Sequence, residues 1–363
     1  MTGEPRVGQH LAGPVLVVGA GLLGTSIGLA LRRQQVEVLL SDVNPENVTI
    51  AAGIGAGAAA TDGALPQLVV VAVPPDHLAN EITRALETSS AAVVTDVGSV
   101  KTAPLRAVST RVPAELGRYV GSHPMAGSER SGPFAASGSL FDGRPWAITP
   151  HEASSPEAVA LVTELAELCG ATAIRFTPEE HDHAVARTSH LPHLLAALVA
   201  GRLADAPADH MTLSGQGVRD VTRIAAGDPA LWQQIIAANA GAVAALLGDV
   251  RADLDRLLAA VRTGHREELG ALLDRGVAGT AAIPGKHGGP AHPMSPLYVA
   301  VPDHPGELAR LLADAGEIGV NIEDLRIDHD PGRPVGLVEL TVAADRTDYL
   351  TEALEARGWT AHR

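Results

Sequence analysis

Lysine is almost absent from this 363-residue chain, which carries only Lys101 and Lys286. Any anionic ligand must therefore be held by arginines or by backbone amides. Cysteine occurs once, as Cys169. A single thiol excludes a disulfide framework within the chain and suits a reducing compartment. No uncharged apolar run reaches the roughly 18 residues of a membrane-spanning helix. No basic-then-apolar stretch of signal form opens the chain, so the expected location is the cytoplasm. Positive charge is short as well: the formal net charge is −15, and a nucleic-acid partner would want a basic face. Aromatic residues amount to 2%, so a tryptophan beside a charged cluster is worth following. Apolar residues are plentiful. At 46% hydrophobic and 19% charged the chain is globular, and it is long enough for two or three domains.

Residues 14–18 read as a buried parallel strand. They run into Gly19-Ala20-Gly21-Leu22-Leu23-Gly24, then a helical segment over 25–33 and a second strand over 36–41 ending at Asp42. A bare G-x-G-x-x-G is weak. Here a strand precedes it, a helix follows, and an acid stands 18 residues beyond Gly24, which together make a dinucleotide-binding fingerprint. Gly19 permits the tight turn, Gly21 lets a pyrophosphate approach, and Gly24 lets helix and strand pack closely. The helix N-terminus then faces the pyrophosphate. Asp42 would accept hydrogen bonds from the adenosine ribose and repel a 2′-phosphate. No arginine directly follows it, so NAD is expected over NADP. Gly19, Gly21, Leu22, Leu23, Gly24, Asp42 and Val73 form the expected cofactor site.

A strand over 68–73 ends at Pro74-Pro75, and one over 91–95 leads into Asp96-Val97-Gly98-Ser99-Val100-Lys101. Ligands of such sheets bind at the carboxyl edge. Ser99 at this edge either caps the next segment or hydrogen-bonds a catalytic group or ligand. A short strand over 117–120 delivers Gly121-Ser122-His123-Pro124-Met125-Ala126-Gly127-Ser128-Glu129-Arg130 to the same place. His123 is thus expected near the nicotinamide end of a bound cofactor.

From about residue 178 to 273 the apolar period becomes helical. One helix is expected from residue 178, with acids in its first turn and a kink at Pro192. Residues 194–200 are apolar on every side, so this helix should be buried all round, inside the domain or in a subunit interface. His181, His183, His190 and His193 crowd it without an H-E-x-x-H pattern or Cys/His set, so substrate contact or packing is expected and no metal. Arg219 and Arg223 lie one turn apart, and Asp220 is spaced to hold Arg223 by an i,i+3 pair. That pair reads either as a weak surface contact or as a positioned fork for a carboxylate. Trp232 stands close by.

These motifs, spread over residues 14 to about 275 in one order, resemble the prephenate/arogenate dehydrogenase family of tyrosine biosynthesis. The carrying residues are Gly19 to Gly24 with Asp42, Asp96 to Lys101, Gly121 to Gly127 with Glu129, Ser189 to His193, and Asp220 to Trp232. The resemblance implies that His123 is the catalytic hydrogen-bond acceptor, with Ser99 beside it. It implies that Arg223 binds a substrate carboxylate, and that Ser189, His193 and Trp232 line the pocket. Glu129 and Asp220 would form an ionic gate around Arg223. A homodimer built through the helical domain is implied too. The resemblance leaves prephenate, arogenate and an amino-substituted prephenate as substrates; prephenate is favoured over arogenate, since His193 offers no carboxylate for arogenate's ammonium.

Residues 284–294 read as a linker, and the tail as strand, helix, two extended segments, helix and a last short strand. That order is ferredoxin-like. Asp303-His304-Pro305-Gly306-Glu307-Leu308 with Gly319-Val320-Asn321-Ile322 resembles an ACT domain, an amino-acid-sensing module; a spare oligomerisation domain is the plainer reading. L-tyrosine is expected near Asp303, Gly306, Asn321 and Ile322, as an inhibitor. The expected fold is α/β: a Rossmann domain over 1–177, a helical substrate and dimerisation domain over 178–283, and the ACT-like module over 295–363. Three rivals remain on the same residues, and the first, a histidine-metal hydrolase, would use the clustered histidines and be revealed by metal analysis. A β-hydroxyacid dehydrogenase needs a lysine in its helical domain, and residues 151–285 contain none. A non-catalytic NAD and amino-acid sensor would not need the His123 and Arg223 set.

Overall fold

The computed structural model describes residues 10–126, 131–283, 293–329 and 335–363, which fall into two compact units, Met1–Leu254 and Asp255–Arg363. In the first, β1 (Val15–Val18), β2 (Val38–Ser41), β3 (Ala58–Ala59), β4 (Leu68–Val71) and β5 (Val93–Asp96) form a parallel sheet. Their order is β3-β2-β1-β4-β5. The order reverses at β1, so the ligand crevice of this doubly wound sheet opens between β1 and β4. Register pairs Val18 with both Ser41 and Val71, and Val71 with Asp96. Four strands therefore end level, and the residues after them emerge along one edge. β4, Leu-Val-Val-Val, is buried at every position, as a strand covered on both faces must be. The covering helices are α1 (Leu22–Arg33), α2 (Pro45–Gly53), α3 (Pro75–Thr88) and α4 (Thr102–Arg111). Helix α1 starts at Leu22, three residues before the expected helical segment.

One expected strand is displaced. Residues Pro113–Arg118 form a 3-10 helix, and the strand is β6 (Gly121–Pro124), which contains His123 itself. Tyr119 makes only an isolated parallel bridge to Val94, and ladder pairing begins at Gly121 opposite Thr149. β6 runs antiparallel to β7 (Pro145–Thr149), which is parallel to β8 (Thr172–Arg175). The Val120 amide donates to the Val94 carbonyl at 3.1 Å, joining this small sheet to the edge of the large one. Helix α5 (Pro156–Leu168), capped by Ser155, buries Leu161, Val162 and Leu165 against the common core.

The helical region holds α6 (Pro178–Val185), α7 (Leu191–Ala204), α8 (Ala208–Met211), α9 (Gln216–Thr222), α10 (Pro229–Ala238) and α11 (Ala240–Thr263). Thr177 and Glu180 close a capping box on α6. Helix α6 runs on through a π-helical turn, Ala186–His190, into α7, and Pro192 follows that turn, a local widening that accommodates its ring and missing N–H. The expectation that this helix is buried all round does not hold within the chain. Only His193 and Ala196 of α7 are buried, and Leu198 is 62% exposed. No single helix among the described residues is long and apolar enough to cross a membrane, and α10 and α11 meet at 95°.

The second unit holds α12 (Arg266–Ala281), then β9 (Met294–Pro302), α13 (Glu307–Ile318), β10 (Asp324–His329), β11 (Val335–Ala343), α14 (Thr347–Ala356) and β12 (Thr360–His362). The sheet is antiparallel in the order β10-β11-β9-β12, the ferredoxin-like arrangement. Leu297, Val299, Leu311, Leu340, Leu350 and Leu354 fill its core. Of the expected linker over 284–294, residues 284–292 lie outside the described residues, and Met294 already begins β9.

Candidate active site

The level strand ends bring four loops to one edge. Gly19 leaves β1 with φ +102°, and a Cβ there would collide with the Ala72 carbonyl. A Cβ on Gly24 would collide with the Gly19 carbonyl. Gly21 differs, for nothing lies within 4 Å of where its Cβ would stand. The fold itself requires Gly19 and Gly24, whereas Gly21 keeps clear the space a pyrophosphate needs. Leu22 and Leu23 open α1, and Val73 follows β4 beside Gly19. Asp42 is pinned against this turn: its Oδ2 accepts from the Ala20 amide at 2.7 Å and its Oδ1 from the Asn44 amide at 2.8 Å. An oriented carboxylate at the end of β2 is the group that holds a ribose diol, so these residues fit a dinucleotide.

His123 stands on β6. The Val94–Tyr119 bridge puts it two residues past the level of Asp96. A buried polar floor holds the strand beneath it. The Lys101 ammonium ion-pairs with Asp96 and donates to the Ser122 carbonyl at 2.7 Å, and the Tyr119 hydroxyl donates to Asp96 Oδ1 at 2.9 Å. Lys101 is 1% exposed and Asp96 0%, so one of the chain's two lysines serves the interior. Burial pulls the Lys101 pKa down against the attraction of Asp96, and burial raises that of Tyr119.

His123 Nδ1 lies 3.0 Å from His181 Nε2, with the rings edge to face. His181 Nδ1 lies 2.9 Å from Asp182 Oδ1. The same carboxylate accepts from the Lys101 amide at 2.8 Å and the Thr102 amide at 2.9 Å, capping α4 from a distant segment. Burial, then repulsion from His181, Lys101 and His190, holds the His123 pKa well below its ordinary value, so the ring is neutral. Burial lowers that of His181 too, with Asp182 opposing. Burial pushes the Asp182 carboxyl up, but hydrogen bonds from His181, Thr102 and the two amides outweigh it and hold the carboxyl below its ordinary pKa.

Ser99 is not the cap of α4, because Asp182 occupies that place. Its half-buried hydroxyl makes no hydrogen bond among the described residues. His193 is 7% exposed and stacks on Trp232 with ring centroids 3.6 Å apart, while His190 meets the same indole edge-on at 6.1 Å. Gly227 backs this stack: a Cβ there would stand 2.6 Å from Trp232 Nε1. Ser189 is half-buried in the π-helical turn.

The expected Asp220–Arg223 pair is not formed. Helix α9 ends at Thr222 and a 3-10 turn starts at Arg223. Asp220 accepts instead from Gln216 Nε2 at 2.9 Å. Arg223 is exposed and makes no ion pair among the described residues. Glu129 and Gly127 lie outside the described residues. The four clustered histidines diverge: His183 is exposed, His190 faces Asn239 at 3.3 Å, and the other two are engaged as above. Among the described residues no group of three His, Cys, Asp or Glu is placed to hold a metal ion.

The sequence offers His181 only as one of four clustered histidines and Asp182 not at all, and it gives no sign of their pairing with each other and with His123. Their signals are adjacency and the histidine cluster, and the partner that matters, His123, is 58 residues away. In the second unit, Asp303 is exposed in the β9–α13 loop, Gly306 has φ +94° before α13, Asn321 donates to Glu323 Oε1 at 2.6 Å, and Ile322 packs on the core.

Residues 27–175 match the family described as prephenate dehydrogenase, nucleotide-binding domain, and residues 177–275 match prephenate dehydrogenase, dimerization domain. The probable prephenate dehydrogenase NovF of Streptomyces niveus is 36% identical over 358 residues, 96% of this chain and 99% of its own length. The prephenate dehydrogenase of A. aeolicus, solved with hydroxyphenyl propionate and NAD+, is 28% identical with a TM-score of 0.66, covering 73% of this chain and 96% of that one. Synechocystis arogenate dehydrogenase is 28% identical with a TM-score of 0.63, covering 73% and 98%. With its glycine turn, its histidine at the strand edge and both matched domains in sequence, the chain belongs to the prephenate dehydrogenase family.

Proposed function

We propose that this chain is an NAD-dependent prephenate dehydrogenase, converting prephenate to 4-hydroxyphenylpyruvate and CO2. The observation that carries the reading is His123: a neutral imidazole, hydrogen-bonded on one nitrogen, at the carboxyl edge of a dinucleotide-binding sheet. Bound NAD+ would accept the hydride from C4 of the substrate ring, held by the Gly19–Gly24 turn and Asp42. His123 takes the proton of the C4 hydroxyl, which becomes a carbonyl. The bond from C1 to its carboxylate then breaks; its electron pair enters the ring, CO2 leaves, and the oxygen regains the proton as a phenol. Aromatisation makes the sequence irreversible.

Arg223, exposed and without an ion pair among the described residues, is the anchor for a substrate carboxylate. Ser99 has a hydroxyl left over for the substrate or for His123. Trp232, stacked on His193, forms one wall with Ser189. Glu129 and Asp220 would gate Arg223. Burial lowers the His193 pKa, so that side chain offers no charge to a keto or an ammonium group. The likeness to an arogenate dehydrogenase keeps arogenate as the second reading. Parallel kcat/KM measurements on prephenate and arogenate with NAD+ and NADP+, followed by NADH absorbance, test the substrate and the cofactor together. No turnover of either substrate overturns the reading.

A homodimer is supported by apolar side chains left open in the helical region, among them Leu198, Val199, Leu213 and Val221. L-tyrosine as a feedback inhibitor at an ACT-like module is supported by the ferredoxin-like topology and by the exposure of the Asp303–Gly306 loop and of Asn321. Activity unchanged by millimolar tyrosine, with no tyrosine binding by calorimetry, would remove that part.

A further inference from the structure

His181 and Asp182 have no role in the chemistry above. We propose that they are the positioning pair of His123, fixing it in the tautomer that carries its proton on Nδ1 and leaves Nε2 free to act as the base. The assignment follows from counting donors and acceptors. The Asp182 carboxylate can only accept, and it receives the Lys101 and Thr102 amides together with His181 Nδ1. His181 therefore carries its proton on Nδ1, and Nε2 of the neutral ring is an acceptor. The atom 3.0 Å from that acceptor, His123 Nδ1, must donate. The proton-free nitrogen of His123 is then Nε2. An imidazole in water prefers its proton on Nε2, so the contact with His181 reverses the intrinsic preference of the catalytic ring.

The capping role of Asp182 explains two of its three hydrogen bonds. It does not explain why a buried histidine is held between the carboxylate and His123 with both nitrogens engaged. The arrangement continues to work once His123 has taken a proton. Its Nδ1–H stays on His181 Nε2, and the carboxylate one ring further on faces the new positive charge, while Lys101 and His190 oppose it.

That His123 is the base rests on the proposed function; its tautomer does not. The test uses the full chain carrying isotope-labelled histidine, read by nitrogen NMR at neutral pH without substrate. His123 is assigned by the signals lost in His123→Asn. Wild-type His123 should show a protonated Nδ1 and a bare Nε2. His181→Leu, which removes the acceptor, should let His123 relax toward the Nε2–H form. It should also lower kcat about 10- to 100-fold with little change in the prephenate KM. His181→Gln, whose amide carbonyl can accept the same proton, should recover about tenfold of that loss. A wild-type His123 protonated on Nε2 overturns the proposal, as does a folded His181→Leu enzyme with wild-type kcat. Should His181→Leu fail to fold, the wild-type spectrum alone decides. A wild-type chain that turns over neither prephenate nor arogenate would instead sink the proposed function, with the tautomer still to be read from the spectrum.

Discussion

His123 and His181 face each other nitrogen to nitrogen at 3.0 Å, one from a strand beside the nucleotide-binding sheet and one from the first helix of the helical region. The contact joins two regions that the family treats as separate matched domains, and it puts the base where both must be correctly folded.

Replacing His123 by Asn should leave prephenate binding intact and lower kcat by about 10²–10⁴-fold, the range for a lost general base. Steady-state kinetics with a binding measurement checks this. Near-normal turnover would mean that another group takes the hydroxyl proton.

Two glycine substitutions should separate fold from cofactor binding. Gly24→Ala drives a Cβ into the Gly19 carbonyl, and overpacking of this kind costs about 1–3 kcal/mol. Gly21→Ala meets only open space, so unfolding should stay within about 0.5 kcal/mol of wild type while NAD+ affinity falls. Thermal unfolding with and without NAD+ reads both. Equal NAD+ affinity in Gly21→Ala would place the pyrophosphate elsewhere.

Arg223 contributes little to the fold, being exposed and without an ion pair among the described residues. Arg223→Ala should therefore keep the wild-type melting temperature and raise the prephenate KM by about 10- to 100-fold, the worth of a charge-assisted hydrogen bond of about 1.5–3 kcal/mol. A lowered melting temperature with unchanged KM would return Arg223 to a structural role.

Acid should weaken both activity and stability. Burial lowers the His190 pKa to about 4, and the unfolded chain titrates near 6.5. Between those values the unfolded state binds more protons, so stability falls as pH drops below about 6.5. The lowered values of His123, His181 and His193 act in the same direction. Asp182, with its own pKa lowered, keeps its contribution until pH falls below about 4. Melting temperatures should decline from pH 7 to 5, less steeply in His190→Gln. The acid limb of kcat/KM should lie below pH 6.5, where His123 protonates. A limb above that pH would contradict the burial of His123.

Lys101→Met leaves Asp96 without its cation in the interior and should destabilise the fold by about 3–5 kcal/mol, measured by denaturant unfolding. A loss under about 1 kcal/mol would mean that Tyr119 and the Gly98 amide alone satisfy Asp96.

Much of this molecule could be read without coordinates because its signals are local. The glycine turn, the run of valines in β4 and the acid at Asp42 act over one strand and one helix, where the spacing along the chain is the spacing in space. The βαββαβ order of the second unit was legible for the same reason. Side-chain choices were less so: Asp220 and Arg223 are spaced for a helical pair, but Asp220 turns to Gln216 one turn back. The apolar ring of α7 implied burial, yet this chain alone leaves part of it open.

His123 was singled out as following a strand over 117–120; that strand is displaced onto β6, which holds His123 itself, but the order of motifs along the chain still places it at the sheet edge. Its partner was not. His181 and Asp182 look like an ordinary first turn of a helix. Only the docking of α6 against α4 and β6 turns the first into the acceptor for His123 and the second into the cap of α4. A ring nitrogen and a carboxylate become a positioning device only when segments 58 and 81 residues apart are brought within hydrogen-bond reach, and no spacing along the chain encodes that distance.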